Sequence, residues 1–588
     1  MRILAFNVTH DSSVCSINNG HTEFFCKEER LSRIKRDKHP FKSLELYKSK
    51  NFGKIDYILY CTPSNYSGGS EFYYKEYIKK IFNVEMQNFS SLTHHLCHAS
   101  SAFYNSGFKK SLTFVIDRNG SILFDNKIDA CRESESVFLC SYPDNFTPLY
   151  KAFWTNDNIG INKDNLKKLI KSNFPLSDIH VDNEYSITKV YEAATTLIGQ
   201  PILENGKTMG LASYGVNKKY HSLFLNGSPI TNYFTNIINE DGDNVVIFKD
   251  QQDKITRNIT ENNYKFYADK AKQVQLETQK ESLRLIQKYI NKTKIKNVCI
   301  VGGYGLNVIA NNYYIENLPD VNFYFEPVAD DTGIAIGAAY FKYRNLTKNN
   351  KVITPKNNFY HYYEDNKINK GTKATIKDVC KLLIDQKSVA IFEGAAEAGP
   401  RALGHRSILF DSRNKNCKNI VNKIKNREWY RPFAGVILKE KFKKYFNFLS
   451  LNEVIMKKHI NKDFFSQREA AKYDNPIPSR EYILDFLAES RGPLTHEELC
   501  EELSISDERA YEAIRRRLIA MERDGQLIKN RSYAYGALEK MNLIKGRVIG
   551  HPDGFGFVSP VVGETDLYLS SRQMKKVLDG DEVLVRVS

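Results

Sequence analysis

No run of apolar residues in the sequence approaches the ~18 consecutive positions that a membrane-spanning helix requires. The short apolar stretch at the N-terminus is broken by Asn7 and His10, so it predicts a β-strand entering a polar loop rather than a signal peptide. The 10 cysteines are scattered singly and form no CxxC pair, which argues against a zinc ribbon or a disulfide framework. These absences indicate a protein of the reducing cytoplasm with no membrane partner.

The composition excludes several further classes of protein. Hydrophobic residues make up 41% of the 588 positions and charged residues 26%, which is the balance of ordinary globular domains. Collagen-like, mucin-like and wholly disordered chains have different compositions. At roughly 100–200 residues per domain, the length predicts three or four domains.

The composition changes abruptly near residue 464. Residues 1–463 contain 49 asparagines and carry a net charge of +19, whereas residues 464–588 contain 3 asparagines and carry a net charge of −3. This change is the principal predicted domain boundary. The lysines of the first part are spread along helix-like stretches, so they indicate either an ordinary solvated surface or attraction of phosphorylated or nucleic-acid partners.

Short apolar runs alternate with longer helical patterns before that boundary. In the stretch 265–292, for example, Val274, Leu283 and Ile286 recur near helical spacing. Strands interleaved with helices predict an α/β architecture. Beyond the boundary, three helical stretches over about 479–524 and short strands after them predict a helical module and a small β-barrel. The strand candidates of the first part are 3–8, 55–61, 112–117, 297–303 and 388–394.

Two histidines four residues apart, His94 and His98, would project from the same face of a helix. The spacing suits two ligands of one metal ion, although surface and core histidines also occur in such pairs. Carboxylates could come from Asp117, which ends a predicted strand, and from Asp330 and Asp331, because strand ends in α/β proteins face a common cleft. Two imidazoles with oxygen ligands suit Fe(II), Mn(II) or Zn(II), and the spacing does not choose among them.

Eight motifs follow one another over about residues 1–450. They are THDSS (9–13), EERLSRIK (28–35), HHLCHASSAF (94–103), GKTMGLASYG (206–215), GGYGLNVIAN (302–311), EPVADDTGIAIGAA (326–339), EGAAEAGPRALGHRSIL (393–409) and NREWYRPFAG (426–435). In this order they resemble the O-carbamoyltransferases of the nodulation and antibiotic-tailoring type, and the motif GPRALGHRSIL is the most specific of them. The resemblance implies a TsaD-like domain of the actin/Hsp70 nucleotide-binding type at 1–365 and a YrdC-like domain at 366–463. The second domain is expected to be truncated, because the sequence contains no LNTSFN-like motif.

The resemblance also implies a reaction. Family chemistry forms carbamoyl-adenylate from carbamoyl phosphate and ATP, releases pyrophosphate, and passes the carbamoyl group to a hydroxyl of a small molecule or nucleotide. The implied metal ligands, expected to hold Fe(II), are His94, His98, Asp117 and Asp331. The implied nucleotide-binding residues are Lys35, Lys207, Gly302, Gly303 and Asn307. The implied catalytic residues are Arg401, His405, Arg406, Arg427 and Arg431.

The residue types suit these roles. Glycines such as Gly302 and Gly303 after a strand allow the backbone to approach a nucleotide closely, although they are also typical of a tight turn. The phosphate-binding motifs GxxxxGKS and GxxxxGKT are absent, so Lys207 does not belong to a P-loop. An arginine fork matches phosphate oxygens, which suits carbamoyl phosphate and the adenylate.

The last part contains NPIPSRE (475–481), RRRLIAMERDGQL (515–527) and KGRVIGHPDGFGFV (545–558). These motifs resemble the N-terminal region of ribonuclease R, which implies a winged-helix module at 464–540 and a cold-shock, OB-like barrel at 541–588. Phe555 and Phe557 alternate with glycine, so both rings would lie on one side of a strand, either as a platform for unstacked RNA bases or in the barrel core. Lys545 and Arg547 would add local positive charge for single-stranded RNA.

Three interpretations follow from the whole sequence. The chain is a carbamoyltransferase with an RNA-binding appendage, an RNA-binding protein whose truncated enzyme part is an inactive scaffold, or a fusion of two unrelated genes near residue 464. We prefer the enzyme because its motifs occupy most of the chain.

Overall fold

The computed structural model divides the chain into two compact units, Met1–Asn452 and Glu453–Ser588, and each is described by itself. The described residues are 1–62, 68–85, 92–125, 128–154, 163–173, 179–181, 186–216, 220–239, 244–353, 371–437, 477–489, 493–503, 505, 507–530, 533–537, 543–560 and 566–586.

The first unit alternates strands with helices, as its apolar pattern predicts. Its strands are β1 (Arg2–Asn7), β2 (Ser13–Asn18), β3 (His21–Lys27), β4 (Tyr57–Cys61), β5 (Lys110–Ile116), β6 (Ile122–Asp125), β7 (Ile128–Ser141), β8 (Asn145–Trp154), β9 (Ile179–Val181), β10 (Phe224–Leu225), β11 (Ser228–Pro229), β12 (Phe234–Ile238), β13 (Asn244–Phe248), β14 (Asn297–Val301), β15 (Asn322–Phe325), β16 (Val389–Phe392) and β17 (Arg406–Leu409). Its helices are α1 (Glu29–Ser32), α2 (Phe41–Ser49), α3 (Gly68–Phe82), α4 (His94–Ser106), α5 (Lys163–Asn173), α6 (Ile187–Leu197), α7 (Asn205–Ala212), α8 (Tyr264–Thr293), α9 (Val308–Asn317), α10 (Ile334–Thr347), α11 (Ile376–Ile384) and α12 (Cys417–Ile424).

Two larger sheets organise this unit. The first has the strand order β3-β2-β1-β4, in which β1 and β4 run parallel and the other pairs are antiparallel. The second has the order β15-β14-β5-β7-β8-β9, with β6 paired to β7. In the second sheet β5, β14 and β15 are parallel to one another. The α/β class predicted from the sequence is confirmed, and all five strand candidates of the first part form strands.

Helices fill the space between the sheets and cover their outer faces. Helix α10 packs on the first sheet, α4 packs on the second, and the two helices pack on each other in one apolar core. Gly337 makes their close approach possible, because a Cβ atom there would lie 1.8 Å from the carbonyl oxygen of Cys97. Helices α2 and α3 cover the outer face of the first sheet, and α6, α8 and α9 cover that of the second. Helix α4 is therefore buried on all sides.

Residues 371–437 form a smaller α/β arrangement in which α11 precedes the antiparallel hairpin β16–β17 and α12 follows it. Many apolar side chains here stay exposed, among them Ile376 at 85% and Val436 at 88%. Residues 438–463, which complete the predicted YrdC-like domain, lie outside the described residues, and its YrdC-like character stays a prediction.

The second unit has two cores. Its helices α13 (Arg480–Glu489), α14 (His496–Glu502) and α15 (Glu508–Arg523) pack with the hairpin of β18 (Leu527–Lys529) and β19 (Tyr535–Ala537). A separate four-stranded antiparallel sheet has the order β22-β21-β20-β23 and its own small core. Its elements are β20 (Leu543–Gly550), β21 (Gly556–Pro560), β22 (Leu567–Leu569), α16 (Ser571–Met574) and β23 (Glu582–Arg586). The helical module and the small β-sheet region appear in the predicted order.

Across the described ranges, no helix combines the length and the apolar character needed to cross a membrane.

Candidate functional site

The two histidines of the predicted metal site lie on the first turn and a half of α4. The helix begins at His94 because the Thr93 hydroxyl accepts a hydrogen bond from the backbone N–H of Leu96. The backbone N–H of His94 donates to the Ser121 hydroxyl at 3.0 Å. Both imidazoles are buried between the two sheets, where unpaired polar groups are costly. Buried imidazoles such as these need a hydrogen-bonding partner or a metal ion.

The two predicted carboxylate ligands reach these histidines from the second sheet. Asp117 directly follows β5, and Asp331 lies in the loop between β15 and α10. One ligand atom from each of the four side chains lies within 4.8 Å of the other three. The two histidine Nε2 atoms are 3.1 Å apart, and Asp331 Oδ1 is 3.5 Å from each of them. Asp117 Oδ2 is 3.4 Å from Nε2 of His94.

The spacing and chemistry of this cluster fit a divalent transition metal. Ligand atoms that share a metal ion at about 2.1 Å lie roughly 3.0–3.4 Å from one another, close to the separations observed. Two neutral imidazoles and two carboxylates would balance the charge of a divalent ion. The 3.1 Å separation of the two Nε2 atoms also suits a hydrogen bond between the imidazoles when one of them carries a proton there.

The electrostatics of the cluster also favour a cation. Burial alone would lower the pKa of His94, but the carboxylates of Asp331 and Asp117 outweigh it and raise the pKa to about 10. Burial would raise the pKa of Asp117, yet hydrogen bonding and charge from the two histidines hold it well below its usual range. The carboxylates therefore stay ionised and attract positive charge to this point.

The glycine loop after β14 orients one of these ligands. Gly302 has a φ of 90°, and a Cβ atom there would lie 2.4 Å from the carbonyl oxygen of Ile116. This close approach brings the backbone N–H of Gly303 within 2.9 Å of Asp117 Oδ1, to which it donates. The other oxygen of Asp117 is thereby left facing His94. The contacts at Gly302 and Gly303 thus orient Asp117, and the predicted contact of these glycines with a nucleotide stays a prediction.

Asn307 is held by its neighbours. Its side-chain oxygen caps α9 by accepting from the backbone N–H of Ala310, and its amide exchanges hydrogen bonds with Gln275. These contacts fix the end of the glycine loop.

The THDSS loop brings two residues to the cluster that were not assigned a role from the sequence. His10 Nδ1 lies 3.5 Å from Asp331 Oδ2, and His10 Nε2 lies 3.2 Å from Asp11 Oδ2. Asn7 fixes this loop, because its amide donates to the backbone oxygens of Asp11 and Asp331 at 3.1 Å each. The cluster of His94, His98, Asp117 and Asp331 therefore lies where loops of both large sheets meet.

Three of the predicted catalytic arginines lie close together. The guanidinium of Arg401 donates to the carbonyl oxygen of Leu306 at 2.8 Å, so it reaches the glycine loop. Burial, together with the charge of Arg431, lowers the pKa of both Arg401 and Arg427. This arginine cluster (Arg401, Arg427 and Arg431) is anchored by Trp429, whose indole N–H donates to the carbonyl oxygen of Ile259 at 3.0 Å.

The two predicted nucleotide-binding lysines are paired with carboxylates. Lys207, on α7, lies 2.7 Å from Glu428, which also lies 3.5 Å from Arg431. Lys35 contacts Glu204, and Arg36 lies 2.8 Å from the same carboxylate. Glu204 and Glu428 were not singled out from the sequence, which carries no local signal for these contacts.

His405 and Arg406 stabilise the hairpin that carries Arg401. His405 Nδ1 is 2.8 Å from the carbonyl oxygen of Ala395. The guanidinium of Arg406 donates to the carbonyl oxygens of Glu393 and Gly394 at 2.9 Å each. The buried carboxylate of Glu397, also not predicted, accepts three backbone N–H groups of this turn.

In the second unit, the predicted aromatic residues share one face of the four-stranded sheet. Phe557 pairs with Ile549 on one side and Tyr568 on the other, and its ring centroid is 5.8 Å from that of Phe555. Tyr568 is 62% exposed, and the opposite face forms the core around Val548 and Val558. The prediction that both phenylalanine rings lie on one side is confirmed, and Tyr568 extends that surface.

One of the two predicted cations lies beside this aromatic face. The exposed Arg547 precedes Ile549 on the same side of β20, and its Nε donates to the carbonyl oxygen of Gly580 at 3.2 Å. Lys545 lies in β20, and its side chain lies outside the described part of the chain.

Family models match four successive regions of the chain. The carbamoyltransferase N-terminus matches residues 64–340, and the carbamoyltransferase C-terminus matches 380–472. The ribonuclease R winged-helix domain matches 481–544, and the ribonuclease B OB domain matches 546–588. The two family resemblances inferred from the motifs are confirmed.

Individual relatives divide the chain in the same way. Ribonuclease R of Acidithiobacillus ferrooxidans is 51% identical over 125 residues, and that of Escherichia coli K12 is 50% identical over 127 residues. These matches cover 21% and 22% of this chain, and the chain spans only 28% and 16% of the two relatives. An uncharacterised Methanocaldococcus jannaschii protein, MJ1058, is 26% identical over 400 residues, which are 63% of this chain and 59% of that protein.

Solved structures give a weaker likeness. Full-length HypF in its phosphate- and nucleotide-bound form aligns with a TM-score of 0.36 and 14% identity, over 59% of this chain and 56% of HypF. HypF of T. kodakarensis aligns with a TM-score of 0.34 and 13% identity, over 60% of this chain and 50% of that one.

Proposed function

Because this chain consists of carbamoyltransferase N- and C-terminal regions followed by the winged-helix and OB regions of ribonuclease R, we propose that it is an ATP-dependent O-carbamoyltransferase. In this reaction water releases phosphate from carbamoyl phosphate to leave carbamate, and an oxygen of the carbamate then forms a bond to the α-phosphorus of ATP as pyrophosphate leaves, which gives carbamoyl-adenylate. The oxygen of an acceptor hydroxyl then forms a bond to the carbamoyl carbon, AMP leaves, and the hydroxyl proton is lost to solvent or a base.

The observation that carries the proposal is the buried cluster of His94, His98, Asp117 and Asp331. These four side chains would hold a divalent metal ion, which we propose to be Fe(II). The ion would act as a Lewis acid toward the carbamoyl oxygen. His10, with its imidazole 33% exposed, lies on the open side of the cluster.

The arginine cluster supplies the second requirement of the reaction, which is binding of phosphate groups. Arg401 reaches the glycine loop, and Lys207 approaches the cluster through Glu428, which it shares with Arg431. Guanidinium groups that are crowded together repel one another, so a polyanion between them would relieve that repulsion. We therefore assign the arginine cluster to the phosphates of ATP or of carbamoyl-adenylate.

The test is pyrophosphate release by the full chain, supplied with a divalent metal and with ATP and carbamoyl phosphate together or singly. The proposal requires release only when both substrates are present, and transfer of labelled carbamoyl to a hydroxyl compound. Screening aminoglycosides, sugars and hydroxymethylated nucleotides would identify the acceptor. No release under any metal would favour the alternative, in which this part is an inactive scaffold.

A second function rests on the aromatic face of Phe555, Phe557 and Tyr568. We propose that residues 466–588 bind single-stranded RNA, because the exposed ring of Tyr568 and the half-buried rings of Phe555 and Phe557 beside it could stack on bases of any identity. Arg547, which lies beside this face, would contact the phosphate backbone of the RNA. Residues 464–588 carry a net charge of −3, so the segment exerts no strong long-range attraction on RNA. Its affinity for RNA should therefore depend little on salt concentration.

We expect the substitution Phe555→Ala/Phe557→Ala to weaken RNA binding by the isolated segment at least tenfold, since each stacked ring contributes roughly 1–3 kcal/mol. Fluorescence anisotropy with an unstructured oligonucleotide over a salt series measures the effect. Tyr533→Ala is the matched control, because that ring is 74% exposed but belongs to the helical module. Unchanged affinity in the double variant would remove the rings from the RNA site, and a steep salt slope would point to the arginines instead.

A further inference from the structure

A buried lysine stands at the far end of a chain of polar contacts that leads to the metal cluster. Lys27 is the last residue of β3, and its side chain is 7% exposed. Its Nζ lies 2.7 Å from Asp11 Oδ1, and it lies 3.7 Å from both Glu29 Oε1 and Asp330 Oδ2. Three carboxylates therefore surround one ammonium group.

The contacts continue from this ammonium group to a metal ligand. The second oxygen of Asp11 faces His10 Nε2 at 3.2 Å, and His10 Nδ1 faces Asp331 Oδ2 at 3.5 Å. The remaining oxygen of Asp331 faces the two histidines of α4. Each carboxylate in this chain thus presents one oxygen toward Lys27 or His10 and the other toward its next partner.

Lys27 also acts on the loop that carries Asp331. Asp330 accepts from the backbone N–H of Thr332 through Oδ1, at 3.2 Å, while its Oδ2 faces Lys27. The lysine thereby attracts Asp11 from one sheet and Asp330 from the other. Without a cation, these two buried carboxylates would repel each other directly beside the metal site.

We propose that Lys27 is a positioning residue that sets the orientation of Asp331 through Asp11 and His10 and so determines how tightly the cluster binds its metal. The inference rests on the proposed metal site but goes beyond it, because Lys27 itself contacts no ligand histidine. Partners of metal ligands commonly change metal affinity by about 10- to 100-fold when they are removed.

The experiment measures metal affinity rather than turnover. We expect Lys27→Met to weaken Co(II) binding to the full chain by about 10- to 100-fold, measured by equilibrium dialysis and by the visible absorption of bound Co(II). Lys27→Arg, which keeps the charge, should restore most of the affinity. Lys342→Met is the matched control, because Lys342 is comparably buried, at 8% against 6% for Lys27, and its Nζ lies over Tyr57 instead.

The fold of each variant can be followed by tryptophan fluorescence, because both tryptophans, Trp154 and Trp429, lie in the first unit. If Lys27→Met does not fold, Asp11→Asn tests the same chain of contacts at its next member and should weaken Co(II) binding to a similar degree. Folded variants that bind Co(II) as tightly as the wild type would overturn the role of Lys27 alone. A wild-type protein that binds no Co(II) would overturn the metal site as well.

Discussion

Replacing His98 with alanine is expected to remove the bound metal and to abolish carbamoyl transfer. His98 is fully buried, and its Nε2 lies within 3.5 Å of ligand atoms of both His94 and Asp331. Loss of one of the four ligands leaves three donors and one vacant coordination position. Metal affinity should therefore fall by more than the roughly 100-fold that loss of a residue hydrogen-bonded to a ligand can cause. Carbamoyl transfer should fall at least as far, because the carbamoyl oxygen would lose the metal ion that is proposed to act on it as a Lewis acid.

Metal content of the purified variant, measured by elemental analysis beside that of the wild type, checks this result. His21→Ala is the control, since His21 is an exposed histidine at the start of β3. Tryptophan fluorescence of both variants should show the same folded first unit as the wild type. Full metal occupancy together with full transfer in His98→Ala would contradict the assignment of the cluster.

The second large effect is expected for Arg401→Ala, which should slow pyrophosphate release about 10- to 100-fold at saturating ATP and carbamoyl phosphate. A charge-assisted contact to phosphate contributes about 1.5–3 kcal/mol, which corresponds to a rate change of this size. Arg401 is also the member of the arginine cluster that donates to Leu306. Its loss should therefore displace the glycine loop from the phosphates as well as remove a charge.

Arg413→Ala provides the matched comparison for this substitution. Arg413 belongs to the same region, but its side chain is 73% exposed and pairs with Asp411 at 2.5 Å. That variant should release pyrophosphate at the wild-type rate. Equal rates for Arg401→Ala and an active wild type would show that Arg401 serves only the packing of its loop, and the phosphate site would then have to lie elsewhere.

The sequence predicts the elements of the first unit better than their arrangement. Helix α8 spans Tyr264–Thr293 against a predicted 265–292, because one continuous apolar stripe decides its length. The proximity of His94, His98, Asp117 and Asp331 could also be predicted, since the two histidines share a helical face and both aspartates follow strands. These signals are local, and each is visible within a few residues.

The contacts that support the cluster carry no such signal. Asn7 and Asp331 are 324 positions apart, yet a hydrogen bond joins them because loops of two different sheets meet. Lys27 is one lysine among many in a basic chain, and only the fold places it beside Asp11. Likewise, Arg401 was expected to serve the adenylating region, and nothing in its motif indicates that it reaches the glycine loop.

The hydrogen bonds of Asn7 have a mechanical consequence. Its amide oxygen accepts from the backbone N–H of Ser13 at 2.7 Å, while its NH2 group donates to the Asp331 carbonyl. The Ser13 hydroxyl donates to the carbonyl oxygen of Thr332 at 2.8 Å. These bonds tie the backbone at Asp331 and Thr332, which follows β15 of the second sheet, to the facing ends of β1 and β2 in the first sheet, so the position of the Asp331 carboxylate depends on both sheets.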